Sequence, residues 1–321
     1  MIKNRFRGLT LLLTITLALL TNACGGEWEK ISKKGNTWEF NAGPKKGLTA
    51  RVREKYKIGK REYAELTLKG ESGSSSIIIS WNEAKKTFLY AGRNTYMGDK
   101  KPVFFIRETA LAKLDNKKNE KVPGEDGTTI TFLGEEKIKT PAGATTALKF
   151  SRTGTNKISS EKISQTFWYV SKKGIYQFTD NARIMKLVKF TEGKGGDPSK
   201  PAGKLDAAKA IAVARSFYTR ARTGSGINAL LPLFTDNGKK LTDNNKTALK
   251  MLISRIQTGT RPEKSAVFFP GNNRVGIRFR YTDESGTNPE LMYSDTILEL
   301  APGKPEMLIK SASTTYRKII Q

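Results

Sequence analysis

Hydrophobic and polar positions alternate along the first part of the chain, from Thr37 to Phe190. The segment from Leu48 to Ile58 shows the pattern clearly, because apolar side chains occupy nearly every second position. A period of two places alternate side chains on opposite faces of a β-strand, so each such segment predicts a strand with one buried face. Gly, Asn, Asp or Lys-Gly turns separate further apolar runs, and about ten short strands are expected in total.

Residues 37–190 are therefore predicted to form a mainly β N-terminal domain, a curled antiparallel sheet. Besides 48–58, the strands are expected at 62–69, 76–80, 87–91, 103–107, 128–133, 144–150, 164–171, 174–179 and 184–190. The segment 108–119 leaves a helix and a loop as open alternatives, because its end is polar.

The alternation stops at residues 191–204, which contain four glycines and two prolines and are predicted to be a linker. A smaller α+β domain is expected at 205–321, with two helices on an antiparallel sheet. Asp206 can cap a helix that runs to about Thr223, and a second helix is expected from Thr242 or Asp243 to Gln257. Strands are predicted afterwards at 265–269, 275–281, 292–300 and 307–314.

This order of elements, together with the helical segment AVARSFYTR at 212–220, weakly resembles the nuclear transport factor 2-like fold. The resemblance covers about 115 residues and depends on element order rather than on a motif. It implies a cone-shaped domain of a kind found both in binding proteins and in enzymes. Catalytic members often use His and Asp in the pocket, and this chain has no His to supply.

The N-terminus has the three-part layout of a secretory signal. Lys3, Arg5 and Arg7 precede an uncharged apolar run of twelve residues, 9–20, which is shorter than the roughly 20 residues that span a bilayer. Residues 1–23 are therefore predicted to be a signal peptide.

Cys24 follows Thr21-Asn22-Ala23 and is the only cysteine of the chain. This tetrapeptide resembles a bacterial lipobox of the relaxed kind found in spirochaetal lipoproteins, although Thr21 stands where Leu is usual. The resemblance implies a diacylglyceryl group and an N-acyl chain on Cys24, with residues 24–36 as a lipidated tether. Ordinary signal cleavage near Ala23, which would leave a free thiol, is the alternative.

Composition excludes several kinds of chemistry. The chain carries a net charge of +27, and removal of residues 1–23 leaves +24. Without histidine, and with Cys24 lipidated, the mature chain can build neither Ser-His-Asp nor Cys-His catalysis, nor zinc sites with nitrogen or sulfur ligands. We therefore expect no metal and no cofactor other than the lipid on Cys24.

Two short motifs resemble catalytic or cofactor-binding signatures. Gly224 and Gly226 fit the GxGxxA spacing of a dinucleotide site, but they follow a predicted helix instead of a strand. Ser159 and Lys162 have the spacing of serine-lysine acyl enzymes, but they lie in a predicted turn between strands. Neither motif supports an enzyme, and we predict a protein without catalytic residues.

Basic residues form two rows with a period of two. The first row, on the strand at 48–58, contains Arg51, Arg53, Lys55 and Lys57. The second contains Arg278 and Arg280, on the strand at 275–281, and Arg274 directly before it. Rows of this kind can give a surface a positive potential that attracts anions. They can equally be solvated faces that protect sheet edges.

The expected function is that of an interaction or adhesion module on the cell envelope, anchored to a membrane by lipid. Its expected partners are acidic polysaccharides, acidic proteins or lipid headgroups, and no nucleic acid is expected. The aromatic segments at 165–170 and 174–178 suggest an alternative, a periplasmic carrier that holds a lipid or another apolar ligand inside the β domain. Gly25, in place of an inner-membrane retention Asp, favours the outer membrane, on either its periplasmic or its surface face.

Overall fold

The computed structural model is mainly antiparallel β-sheet, with a few helices. It describes residues 27–42, 45–70, 73–84, 87–94, 102–113, 117–123, 128–140, 143–155, 162–170, 174–180, 183–202, 205–259, 265–271, 273–283, 290–301 and 307–318. Every strand pair whose register is described is antiparallel. The chain divides into two compact units, described separately below.

The first unit consists of residues 1–57, 61–91 and 109–199. A short helix, α1, precedes its strands at Glu27–Ile31. The strands are β1 (Thr37–Ala42), β2 (Lys45–Ile58), β3 (Arg61–Gly70), β4 (Gly73–Asn82), β5 (Thr87–Arg93), the end of β6 (Val103–Lys113), β7 (Lys121–Pro123), β8 (Thr128–Thr140), β9 (Gly143–Thr155), β10 (Lys162–Val170), β11 (Gly174–Asp180) and β12 (Arg183–Thr191). Their order in the sheet is β5-β4-β3-β2-β1-β12-β11-β10-β9-β8-β7.

Aromatic side chains fill the core of the first unit. The ring of Phe40 meets that of Phe178 edge to face at 5.4 Å, and the rings of Phe150 and Phe167 stack at 5.2 Å. These four side chains are at most 1% exposed. The alternation that predicted the strands therefore marks the residues that exclude water from this unit.

The second unit consists of residues 58–60, 92–108 and 200–321. It contains the helices α2 (Ala207–Thr223) and α3 (Asp243–Gly259), the strands β13 (Ala266–Gly271), β14 (Arg274–Asp283), β15 (Glu290–Ala301) and β16 (Leu308–Lys318), and the first half of β6. The order of its strands is β16-β15-β14-β13-β6. Three 3-10 turns connect the helices, at Ile227–Ala229, Leu231–Leu233 and Thr235–Gly238.

Both predicted helices are confirmed. The side chain of Asp206 accepts hydrogen bonds from the backbone N–H groups of Ala208 and Lys209, each at 3.1 Å, so it caps α2. Gly224 follows α2, and a Cβ there would lie 2.4 Å from the Cβ of Ala229. Glycine at position 224 therefore permits a tight turn after α2. The motif follows a helix, whereas a dinucleotide-binding loop connects a strand to a helix.

Three departures from the sequence analysis concern the boundaries of elements. The segment 108–119, expected as a helix or a loop, continues strand β6 to Lys113. Residues 92–108 belong to the second unit, because Phe105 on β6 pairs with Ala266 on β13. Residues 27–36, expected as part of a tether, are folded into the first unit, where Ile31 is 1% exposed.

Candidate anion-binding surface

The first basic row lies on β2, whose alternate side chains are buried. Val52 and Tyr56 point into the first unit, whereas Arg51, Arg53 and Lys57 are exposed. Lys55 belongs to the same row, but its side chain is only 12% exposed. The period of two thus brings three of the four predicted cations to the surface on one strand.

Acidic residues on β3 neutralise the middle of the β2 row. Arg53 lies 3.7 Å from the carboxylate of Glu65, and Lys55 lies 3.0 Å from that of Glu62. Among the ion pairs of the described residues, none involves Arg51 or Lys57. The row therefore keeps uncompensated positive charge at its two ends.

Glu65 is a buried carboxylate that the sequence analysis did not select. It is 1% exposed, and the hydroxyl of Tyr56 donates a hydrogen bond to it at 2.6 Å. Burial, this hydrogen bond and the nearby negative charge raise the pKa of Tyr56 above its ordinary value. Tyr56 consequently stays protonated and fixes Glu65 beneath the row.

The N-terminal segment, residues 27–36, lies beside the β2 row. The backbone N–H of Gly35 donates to the carbonyl of Val52, and the N–H of Val52 donates to the carbonyl of Asn36, both at 2.9 Å. Val52 stands between Arg51 and Arg53 in the sequence. The end of the N-terminal segment therefore pairs with β2 between Arg51 and Arg53.

Two lysines of this segment form ion pairs that the sequence analysis missed. Lys33 contacts Glu192 at 2.7 Å, and Lys34 contacts Glu54 at 2.8 Å. The adjacent lysines Lys33 and Lys34 are visible in the sequence. The sequence does not show which carboxylates they contact, because Glu54 and Glu192 are distant along the chain.

The pKa values of both carboxylates respond to these lysines. Burial alone would raise the pKa of Glu54, but hydrogen bonds from Lys34 and from the N–H of Lys55 lower it below its ordinary value. The hydrogen bond from Lys33 lowers the pKa of Glu192. Both groups are therefore ionised at neutral pH and hold the N-terminal segment by charge.

The second basic row does not form an exposed surface, and this corrects the sequence analysis at Arg278. Arg278 is 2% exposed, and its Nε and Nη2 donate to the two carboxylate oxygens of Asp295 at 2.6 and 2.5 Å. The ring centroids of Phe268 and Tyr293 lie 5.0 and 5.2 Å from its guanidinium carbon. Arg278 is thus a neutralised cation inside the second unit.

The other members of the second row add little positive surface. Arg274 is exposed, but it pairs across the sheet with Glu299, whose pKa is lowered by Ser311 and Lys310. Arg280 lies on β14, but its side chain is outside the described residues. The described part of this row therefore offers one exposed cation opposite a carboxylate.

The predicted lipidation site, Cys24, lies outside the described residues, as does the predicted signal peptide, residues 1–23. No helix among the described residues is long and apolar enough to cross a membrane. The same part of the chain contains no group of three or more Cys, Asp or Glu residues that could hold a metal ion.

Aromatic residues of the predicted carrier site are packed in the described structure. Phe167 and Tyr169 are fully buried, and Trp168 and Val170, on the opposite face of β10, are 8% and 6% exposed. An open groove of about 460 Å³ lies elsewhere in the first unit, lined by Glu39, Phe40, Asn41, Gly47, Leu48, Thr49, Lys69 and Gly70. Its lining is half polar, which does not favour an apolar ligand.

No protein-family model and no curated protein sequence matches the chain. Among solved structures, a protein from Bacteroides fragilis NCTC 9343, described as exported and as having a YmcC-like fold, is similar to half of this chain. The similarity covers 97% of that protein at 15% sequence identity, with a TM-score of 0.34. A TM-score this low supports no conclusion about function, and the resemblance to the nuclear transport factor 2-like fold stays a prediction.

Proposed function

We propose that the protein is a non-enzymatic, lipid-anchored cell-envelope protein that binds an acidic partner through the β2 row. One observation supports the binding surface above the others: Arg51, Arg53 and Lys57 are exposed on the same strand. The anchor is Cys24, for which the support is the basic N-terminus, the short apolar run and the lipobox-like tetrapeptide. The outer membrane is the proposed location.

The β2 row suits an acidic partner better than the second row does. A guanidinium binds carboxylate, sulfate or phosphate oxygens through two parallel hydrogen bonds, and an exposed guanidinium can do so without losing a buried partner. Arg51 meets this condition, whereas Arg278 already uses its guanidinium on Asp295. The carrier function has no comparable support among the described residues.

Binding to a sulfated polymer tests the surface. The triple substitution Arg51→Gln, Arg53→Gln and Lys57→Gln should weaken heparin binding by roughly tenfold at physiological salt, because three exposed charges contribute about 0.5 kcal/mol each. Adding salt should weaken binding by the unsubstituted protein as well.

The matched control removes three exposed lysines that share no strand: Lys137, Lys239 and Lys250, each changed to Gln. It should retain most of the affinity. Equal weakening by both triple variants would show that only net charge matters, and binding that is insensitive to salt would contradict the electrostatic surface.

Phase separation in detergent tests the anchor. Cys24→Ser should move the protein from the detergent phase to the aqueous phase; a variant that stays with detergent would refute the anchor.

A further inference from the structure

Helix α1 lies very close in sequence to the proposed anchor. Only Gly25 and Gly26 separate Cys24 from Glu27, where α1 starts. Three residues of fully extended chain span at most about 10 Å. If Cys24 carries lipid, α1 must lie within that distance of the anchored thioether.

Helix α1 is fixed to the first unit and cannot lengthen the connection. The ring of Trp28 packs against that of Phe88 at 6.1 Å, and Ile31 is 1% exposed. The side chain of Asn36, which is fully buried, donates to the carbonyls of Lys30 and Ile31 at 2.5 and 3.1 Å. It also accepts a hydrogen bond from the N–H of Gly193 at 2.9 Å.

The β2 row extends toward the end of the first unit that carries α1. Thr37, the first residue of β1, pairs with Arg51, so the part of β2 after Arg51 continues beyond the start of β1. Arg53 and Lys57 lie on this continuation, which also pairs with Ser199 at Tyr56. Arg53 and Lys57 are thus at the end of the first unit that carries α1.

We infer that the acidic partner of the β2 row is the anionic phospholipid surface of the membrane in which Cys24 is anchored, an inference that rests on the proposed function. The short connection brings this end of the first unit to the headgroups, and the row supplies the complementary charge. Lys30, on α1, is a further exposed cation. Trp28, which is half-buried, places an aromatic ring where membrane interfaces favour one.

Lys186 provides a matched position away from this end. Asn41 pairs with Lys186 and Thr37 with Arg51, so Lys186 and Lys57 are ten strand positions apart on β12 and β2, the two strands that flank β1. At 3.3 Å per residue this corresponds to about 30 Å along the strand direction. Both lysines are exposed, and replacing either removes the same charge.

The test uses the mature lipidated protein, residues 24–321, with one introduced cysteine, since Cys24 is the only native one and its sulfur is blocked by lipid. Variants Lys30→Cys, Lys57→Cys and Lys186→Cys carry a fluorescent label and are reconstituted in phosphatidylglycerol vesicles that contain a headgroup-level quencher lipid. The label at 57 should be quenched about threefold more than the label at 186, because roughly 30 Å of strand separates Lys57 from Lys186. The label at 30, on α1, should be quenched about as strongly as the label at 57. Vesicles of phosphatidylcholine should reduce the difference.

The outcomes separate the two proposals. Vesicle association with equal quenching at 57 and 186 would overturn the membrane-facing orientation and leave the anchor intact. Failure to associate would instead refute the anchor. If soluble heparin shields the label at 57 while the quencher lipid has no effect on it, the partner is an external polymer and the inference is wrong.

Discussion

The two basic rows have the same pattern in sequence but lie in different environments. On β2, Arg51, Arg53 and Lys57 are exposed, and the row retains positive charge at both ends. On β14, Arg278 points to a face covered by Phe268 and Tyr293 and is neutralised by Asp295. Alternation therefore assigns side chains to faces of a strand, but it does not show which face is covered.

The largest effect on stability is expected at Asp295 on β15, the buried partner of Arg278 in the second row. Asp295→Ala should destabilise the protein by about 3–5 kcal/mol, because it leaves the buried guanidinium of Arg278 without its carboxylate. Chemical denaturation followed by fluorescence would measure the change. Glu299→Ala, on the exposed end of the same strand, should change stability by less than about 0.5 kcal/mol.

A similar cost for Glu299→Ala would contradict this contrast. So would near-wild-type stability of Asp295→Ala, since it would mean that Arg278 is accessible to water. In either case the second row would again be a candidate binding surface.

A smaller effect is expected beneath the β2 row. Tyr56→Phe should cost about 1–3 kcal/mol, because it removes the hydroxyl that donates to the buried carboxylate of Glu65. Arg53→Gln should cost less than about 1 kcal/mol, since Arg53 is 66% exposed and its ion pair is screened by water. Urea midpoints of the two variants would make the comparison.

A larger loss for Arg53→Gln than for Tyr56→Phe would show that Arg53 stabilises Glu65 and is not available to a partner. That result would weaken the proposed surface at its centre and leave only its two ends.

The smallest effect concerns pH. The pKa of Glu54 is lower in the folded protein than its ordinary value, so its contribution to stability is present above about pH 4.5 and is lost as the pH falls through the folded value. Lys34→Met should remove up to about 1 kcal/mol at neutral pH and flatten the loss of stability below about pH 4.5.

Thermal unfolding at a series of pH values would measure this prediction. Lys69→Met, which removes an exposed cation from β3, should leave the acid slope unchanged. An unchanged slope in Lys34→Met would mean that the pair does not hold the N-terminal segment.

Much of the fold was predictable because local rules decide it. The Asp206 cap, the stripe of Leu249, Leu252, Ile253 and Ile256 on α3, and the alternation on β2 each depend on neighbours close in sequence. The placement of residues 92–108 in the second unit was not predictable, because the pairing of Phe105 with Ala266 joins positions far apart in the chain.

For the candidate site, the sequence by itself determined that Arg51, Arg53 and Lys57 share one face of a strand, and it predicts lipidation at Cys24. Only the tertiary structure decided that Arg278 is buried and that the N-terminal segment is folded instead of forming a tether. The reason is physical. A period of two is a property of one strand, whereas burial and charge compensation depend on which other strand or segment packs beside it.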